Sequence, residues 1–428
     1  MSLPVVLPPE SKLPGSPLAK AKAGIDACVH CGFCLQSCPT YLTLEDENDS
    51  PRGRILLMRS LLEGTLAPEN DTIERHIAQC LGCRACETVC PSGVPYGHLL
   101  EATRATLAQH RPIPFVARMI LAVFEHPWLM RAAMFGGRVA RATGISKLFS
   151  GLPGRFGFSM AMLSSTKRGP ATRRATPTST GSRGPVALLT GCVMEGLFSE
   201  TNRATERVLL ANNYKLVDAP AQRCCGALHA HAGDADAAKR LAKANIAAFE
   251  DPSIERICVN AAGCGAMMKE YGHLLADDPE WRDRAANVSA KVRDVSELLS
   301  AAGPERGGAV RRRVAYDAPC HLMHAQRVTK QPIDMLHAVP ELELVPLTES
   351  DVCCGSAGIY NLVEPDTSNV VLDRKLGHIA AANPELVATG NPGCLMQIGA
   401  GLLRAGSTTR TVHPVELLDE SYAQRTSR

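Results

Sequence analysis

Apolar positions recur at helical spacing in the first part of the chain. Residues 54–62 (RILLMRSLL), 72–79 (TIERHIAQ) and 98–109 each read as helices with one apolar side. Residues 113–166 are apolar and basic and predict packed helices leading out of that first unit. Beyond residue 184 the rhythm changes. Short apolar runs at 186–189, 216–217 and 257–259 alternate with helical stretches, and the same alternation returns at 314–316, 342–345 and 386–388. Such alternation predicts parallel sheets flanked by helices.

The second half repeats itself. Its first copy carries Cys192, the pair Cys224-Cys225-Gly226 and Cys264; its second carries Cys320, Cys353-Cys354-Gly355 and Cys394. From first cysteine to pair there are 31 intervening residues in one copy and 32 in the other; from pair to last cysteine, 38 and 39. Matching gaps at several points mark a duplication. The expected organisation is an N-terminal extension (1–25, Pro- and Lys-rich, extended or flexible), a cysteine-rich helical domain (26–112), a helical connector (113–166), a basic linker (167–184) and two repeats (185–303 and 304–428).

Composition narrows the classes. The 428 residues are 45% hydrophobic with a formal net charge of +3, which is no basis for nucleic-acid binding. The richest apolar stretch, 113–124, is short and contains Arg118, so no transmembrane helix is expected. The first residues do not read as a secretory signal. Seventeen cysteines in a long chain of this kind point to metal binding instead of a disulfide framework.

Spacing says which metal. Cys28-x-x-Cys31-x-x-Cys34-x-x-x-Cys38-Pro39 and Cys80-x-x-Cys83-x-x-Cys86-x-x-x-Cys90-Pro91 are two ferredoxin runs. Three thiolates converge from one tight loop, and small neighbours such as Gly32, Gly82 and Ala85 admit backbone N–H groups to the sulfurs. The fourth cysteine of each run serves the other cluster. The expected ligand sets for two [4Fe–4S] clusters are therefore Cys28, Cys31, Cys34 and Cys90, and Cys38, Cys80, Cys83 and Cys86. Zinc also uses C-x-x-C pairs, but it does not explain a third cysteine and a C-x-x-x-C-P tail present twice. The 41 residues between Cys38 and Cys80 favour an α-helical ferredoxin-type domain.

For the repeats two readings stay open: Cys192, Cys224, Cys225, Cys264, Cys320, Cys353, Cys354 and Cys394 form additional metal sites, or they are buried or redox-active thiols. Each lies at the end of an apolar run, where α/β folds place ligand sites. Cys258, inside such a run, reads as core. His229, His231, His321, His324 and His413 are candidates for proton handling, each weighed against an ordinary structural role. Arg52 and Arg54 of the Pro51-Arg52-Gly53-Arg54 string are placed to neutralise cluster charge, to dock a partner or to begin a helix. No G-x-G-x-x-G in strand–helix context, phosphate loop, G-x-S-x-G or H-E-x-x-H is visible, so no catalytic residue is assigned. Cluster ligands without a flavin or nicotinamide site suggest the electron wire of a larger enzyme.

The order of two ferredoxin runs, a Pro/basic linker and two CCG repeats resembles the iron–sulfur (F) subunit family of glycolate oxidase, also called glycolate dehydrogenase. The strings 27–34 (ACVHCGFC), 50–54 (SPRGR), 263–266 (GCGA) and 353–358 (CCGSAG) carry the likeness. It implies a fold of α plus α/β type: a helical ferredoxin-type domain with two [4Fe–4S] clusters, then duplicated cysteine-rich repeats. It also implies FAD on partner subunits that oxidise glycolate to glyoxylate, and a quinone or other non-oxygen acceptor. The location implied is the cytoplasm or the inner face of the cell membrane, as a peripheral complex. Relatives of the same layout widen the choice to lactate or glycerol-3-phosphate dehydrogenase subunits, or a heterodisulfide-reductase-like thiol–disulfide enzyme. In the last group the repeat ends in C-x-x-C; here Ala261 and Asn391 replace the first of those cysteines, removing one ligand per repeat. A regulatory sensor is a further class, but no nucleic-acid-binding element supports it.

Overall fold

The short apolar runs of the second half become strands, with those at 186–189 and 257–259 buried on both faces. In the computed structural model, which describes residues 11–166, 174 and 176–425, they form two four-stranded sheets. The first contains β1 (Pro185–Leu188), β2 (Lys215–Leu216), β3 (Arg256–Val259) and β4 (Val292–Asp294) in the order β2-β1-β3-β4. The second contains β5 (Arg312–Tyr316), β6 (Leu342–Val345), β7 (Leu386–Ala388) and β8 (Arg410–Val412) in the order β6-β5-β7-β8. Every pairing is parallel. The order reverses at β1 and at β5, which opens a crevice beyond the strand ends. The two repeats are thus the same unit twice. β4 and β8, too short and too polar to stand out in the sequence, complete each sheet.

The N-terminal region is helical, with Pro51–Glu63, Asp71–Ala78 and Tyr96–His110 as its main helices. Ser50 caps the first of these by accepting from the Gly53 N–H, and Asn70 caps the second. The fold is of α plus α/β type, as expected.

Two expectations are corrected. Residues 17–26 are helical, not extended, and Leu18 and Ile25 are fully buried against the helices that follow. Residues 1–10, and 167–173 and 175 of the basic linker, lie outside the described residues. Residues 115–165 do form helices, and Gly154–Ser165 buries Phe158 and Ala161 against Leu372 and Ala400, but the helix Pro127–Ala142 buries none of its residues. Its stripe of Trp128, Phe135 and Val139 faces solvent, so the apolar pattern there serves a surface and not a core.

Candidate functional site

The two ferredoxin runs fold into loops of the same shape. Residues two and four positions after the first cysteine adopt left-handed backbone in both: His30 and Gly32 in one, Gly82 and Arg84 in the other. This turns the chain tightly enough for three thiols to face one space. Cys28, Cys31 and Cys34 line one cavity together with Cys90. Cys80, Cys83 and Cys86 line a second with Cys38. Each cavity therefore takes its fourth thiol from the other run. Pro51, Cys86 and Tyr96 border both cavities, so a single layer of side chains separates them.

Both arginines of the Pro51–Arg54 string have placed roles. Arg52 borders the first cavity and donates to the His30 carbonyl at 3.2 Å, bracing its loop. Arg54 borders the second cavity and is wholly buried. Its guanidinium meets the Asp49 carboxylate at 3.0 Å, the Thr40 hydroxyl at 3.0 Å and the His76 carbonyl at 2.6 Å. Cys38 Sγ lies 3.3 Å from the same Thr40 hydroxyl. The Tyr96 hydroxyl donates to Cys80 Sγ at 3.6 Å, and the Gly82 N–H does so at 3.4 Å. Burial pushes the Cys34 thiol up to about 11 and Cys83 and Cys86 well above the ordinary thiol range. Thiols gathered in fours around a cavity, three of them disfavoured as thiolates by burial, are what a metal centre stabilises. The residues present fit the group.

The thiols of each repeat also converge. Cys192 follows β1, the Cys224-Cys225 pair follows β2, and Cys264 follows β3, all at the carboxyl ends of the strands. Cys192 Sγ lies 3.6 Å from Cys224 Sγ, and Cys225 meets both Cys224 and Cys264. In the second repeat the same chain runs Cys320–Cys353–Cys354–Cys394. Donation from Cys320 and then Cys354 draws the Cys353 thiol down, while Cys320 and Cys354 are pushed up. Gly355 follows the pair with φ +86, and a Cβ there would meet the Ser368 carbonyl at 2.6 Å, so only glycine fits. Asn391, standing where a further cysteine is absent, donates to Cys394 Sγ at 3.5 Å.

Comparison with known proteins decides what these sites belong to. Residues 24–94 match the family described as "4Fe-4S dicluster domain", and residues 186–269 and 314–399 match "Cysteine-rich domain". The chain is 38% identical over 421 residues to "Probable glycolate oxidase iron-sulfur subunit" of Bacillus subtilis (strain 168), covering 94% of each. It is 34% identical over 411 residues to "Glycolate oxidase iron-sulfur subunit" of Escherichia coli (strain K12), covering 94% of this chain and 95% of that one. The chain belongs to the glycolate oxidase iron–sulfur subunit family. "Lactate utilization protein A" of Geobacillus kaustophilus (strain HTA426) is 30% identical but spans only 55% of this chain.

As a member of the glycolate oxidase iron–sulfur family, the chain is an iron–sulfur, electron-transferring component of an oxidoreductase complex with two [4Fe–4S] clusters. Among the described residues no helix is long and apolar enough to cross a membrane.

The structure sorts the remaining candidates. Cys258 is fully buried core. His229 approaches the Leu121 carbonyl at 3.2 Å, and His413 approaches the Asn260 carbonyl at 2.9 Å; both tie elements together. His324 bridges Thr88 and the Asp351 carbonyl, joining the ferredoxin-type domain to the second repeat. His321 Nδ1 lies 3.5 Å from Cys320 Sγ, and its ring is 5.3 Å from that of His231, which is held by Glu101 at 3.0 Å.

Two groups escaped sequence reasoning. Arg84 contacts both Glu87 and Glu270, and Glu270 also meets His98 at 3.3 Å, clamping the second ferredoxin run to the first repeat. Lys375 and Asp317 form a buried ion pair at 2.9 Å. Glu270 lies far from Arg84 in sequence, and Asp317 far from Lys375, and no local pattern links them.

Proposed function

We propose that this chain is the electron-relay subunit of a flavin-dependent glycolate dehydrogenase. FAD-bearing partner subunits oxidise glycolate to glyoxylate, and this chain carries the electrons to a quinone or another non-oxygen acceptor. Cys28, Cys31, Cys34 and Cys90 hold one cluster, and Cys38, Cys80, Cys83 and Cys86 hold the other. Such clusters accept and release one electron at a time, which divides the two-electron oxidation into single steps. The chain's own residues set distance and charge: Pro51, Cys86 and Tyr96 keep the two thiol cavities one side-chain layer apart, and Arg54 places a fixed positive charge against the second. That shared wall is the observation that carries the reading.

The second repeat extends the line. Cys83 and Cys353 pack in one apolar cluster with Cys320 and Tyr360, which supports Cys320, Cys353, Cys354 and Cys394 as a further redox site. The connector supports peripheral attachment to an anionic membrane surface. Eleven of the sixteen large apolar side chains exposed among the described residues lie between Phe115 and Phe156. Residues 113–166 carry Arg118, Arg131, Arg138, Arg141, Lys147 and Arg155 against the single acid Glu125.

The test is anaerobic reconstitution. The isolated chain shows cluster absorbance and an EPR signal on chemical reduction but negligible glycolate oxidation. With its flavoprotein partners, glycolate alone elicits the EPR signal. Full glycolate oxidation by the isolated chain overturns the subunit reading. Disulfide reduction by the isolated chain, lost in Cys354→Ser, supports instead a thiol–disulfide enzyme at the second repeat.

A further inference from the structure

A further cavity is lined in part by Cys80, one of the four thiols of the second set. It is half open to solvent, with a volume of about 230 Å³, and lies between the ferredoxin-type domain and both repeats. Its walls include Ile77, Leu107, Leu228 and Ile359, and the segment Cys80-Leu81 separates it from the cavity of Cys38, Cys80, Cys83 and Cys86. Its rim includes Ile113 and Ala117. Between these two residues lie Phe115 and Val116, which are exposed and begin the apolar connector surface. An apolar path thus runs from the connector surface to the backbone of a cluster-ligating cysteine.

The arginines on the wall are already committed. Arg104 donates to the carbonyls of Ile77 (3.1 Å), Ala78 (3.4 Å), Cys80 (2.7 Å) and His231 (2.8 Å). Arg111 is paired with Asp71 and Glu74. The Tyr360 hydroxyl donates to the Gln79 carbonyl at 2.9 Å. A hydroxy acid or a nucleotide would need an uncommitted cation here to offset the desolvation of its charge. An uncharged, largely apolar molecule needs none, and a half-open cavity with this mainly apolar lining suits one with a small polar head. His231, with Nδ1 on Glu101, is the wall group suited to hydrogen-bond such a head.

From this geometry we infer that the cavity is the binding site of a quinone, entered from the connector face. The inference rests on the relay reading and specifies its acceptor. The step is quinone plus two electrons plus two protons to quinol. The electrons derive from the hydroxy acid oxidised on the partner flavin, and the protons come from water.

The test uses the full-length chain with its clusters loaded and decylubiquinone as the probe, followed by calorimetry. Wild type binds it saturably. Ala108→Trp and Ala232→Trp, each filling the cavity from a different wall, weaken binding by roughly tenfold or more while cluster absorbance stays at the wild-type level. Absence of saturable binding to wild type, or wild-type affinity in both tryptophan variants, overturns the assignment. The relay reading is checked separately by glycolate-driven reduction of ferricyanide, a polar acceptor, in the wild-type complex. Failure of that reduction would overturn the relay and leave the measured quinone affinity of the cavity as it stands.

Discussion

Cys83 of the second ferredoxin run and Cys353 of the second repeat's cysteine pair are buried in one apolar cluster, with Leu81, Ala85 and Cys320 around them. The first repeat is arranged differently. Its Cys225 and Cys264 belong to their own repeat's core, with Tyr271 and Met267. Duplication supplied two equivalent thiol sites, and packing placed the second against the ferredoxin-type domain. Cys353→Ala is therefore expected to perturb the EPR line shape of the second cluster, whereas Cys224→Ala leaves it unchanged. Equal effects from both substitutions would contradict the asymmetry.

The crossed ligand sets give a sharper test. Cys90 lines the cavity of the first run and Cys38 that of the second. Cys90→Ser should selectively weaken or remove the cluster held by Cys28, Cys31 and Cys34. Cys38→Ser should do the same to the other. Iron analysis with EPR of each variant reads this directly. If Cys90→Ser removed the signal assigned to the second run, the ligand sets would be uncrossed.

Much of this was legible because it is local. Cysteine spacing set the loop shape, and helical spacing at residues 54–62 and 72–79 marked helices that form with slightly shifted ends. The parallel sheets followed from short apolar runs such as 186–189. What the sequence concealed depends on the third dimension. β4 has only the alternating Val292-Arg293-Asp294, and its edge position emerges from pairing with β3. The connector's Trp128 and Phe135 have the periodicity of a packed helix, and periodicity does not reveal whether a partner face exists. Arg54 read as one of three alternatives, yet its complete burial against Asp49 and Cys38 makes it part of the second cavity's wall.

The buried pair Lys375–Asp317 separates the repeats energetically. Burial alone would lower the Lys375 ammonium, but Asp317 raises it above its ordinary value. Leu189 holds the equivalent place in the first repeat: its N–H bonds to the Cys258 carbonyl just as that of Asp317 bonds to Ala388. Lys375→Met strands a buried carboxylate and should destabilise the fold by about 3–5 kcal/mol. The double variant with Asp317→Leu, which copies the first repeat, should recover most of that loss. Urea unfolding of the three proteins tests this. A double variant as unstable as Lys375→Met would show that the pair does more than satisfy itself.

Acid should loosen the clamp between the ferredoxin-type domain and the first repeat. Burial pushes the Glu270 carboxyl up, but His98 and Arg84 outweigh it and hold it near about 2, against an ordinary 4.5. A depressed carboxyl contributes stability that is complete above pH 4.5 and is lost as pH falls towards 2. Its full contribution is on the order of 3 kcal/mol. Glu270→Gln should therefore be less stable than wild type at neutral pH, with the gap closing below pH 4.5. Urea titrations at a series of pH values measure the gap. A gap independent of pH would remove Glu270 ionisation as its cause.

The exposed connector makes the membrane reading testable without activity. Trp128 and Phe135 are 67% and 63% exposed on a helix that buries none of its residues, and Arg131 and Arg138 follow each by three positions. Aromatic rings beside arginines suit the boundary between headgroups and acyl chains. The full-length chain should co-sediment with phosphatidylglycerol vesicles and not with phosphatidylcholine vesicles, and salt should weaken the association. Inserting each ring is worth about 1.5–3 kcal/mol, so the double variant Trp128→Ser, Phe135→Ser should lose more than tenfold in vesicle affinity. A double variant that sediments like wild type would exclude this face as the anchor. If neither protein binds vesicles but the variant fails to assemble with its flavoprotein partners, the stripe is a subunit interface.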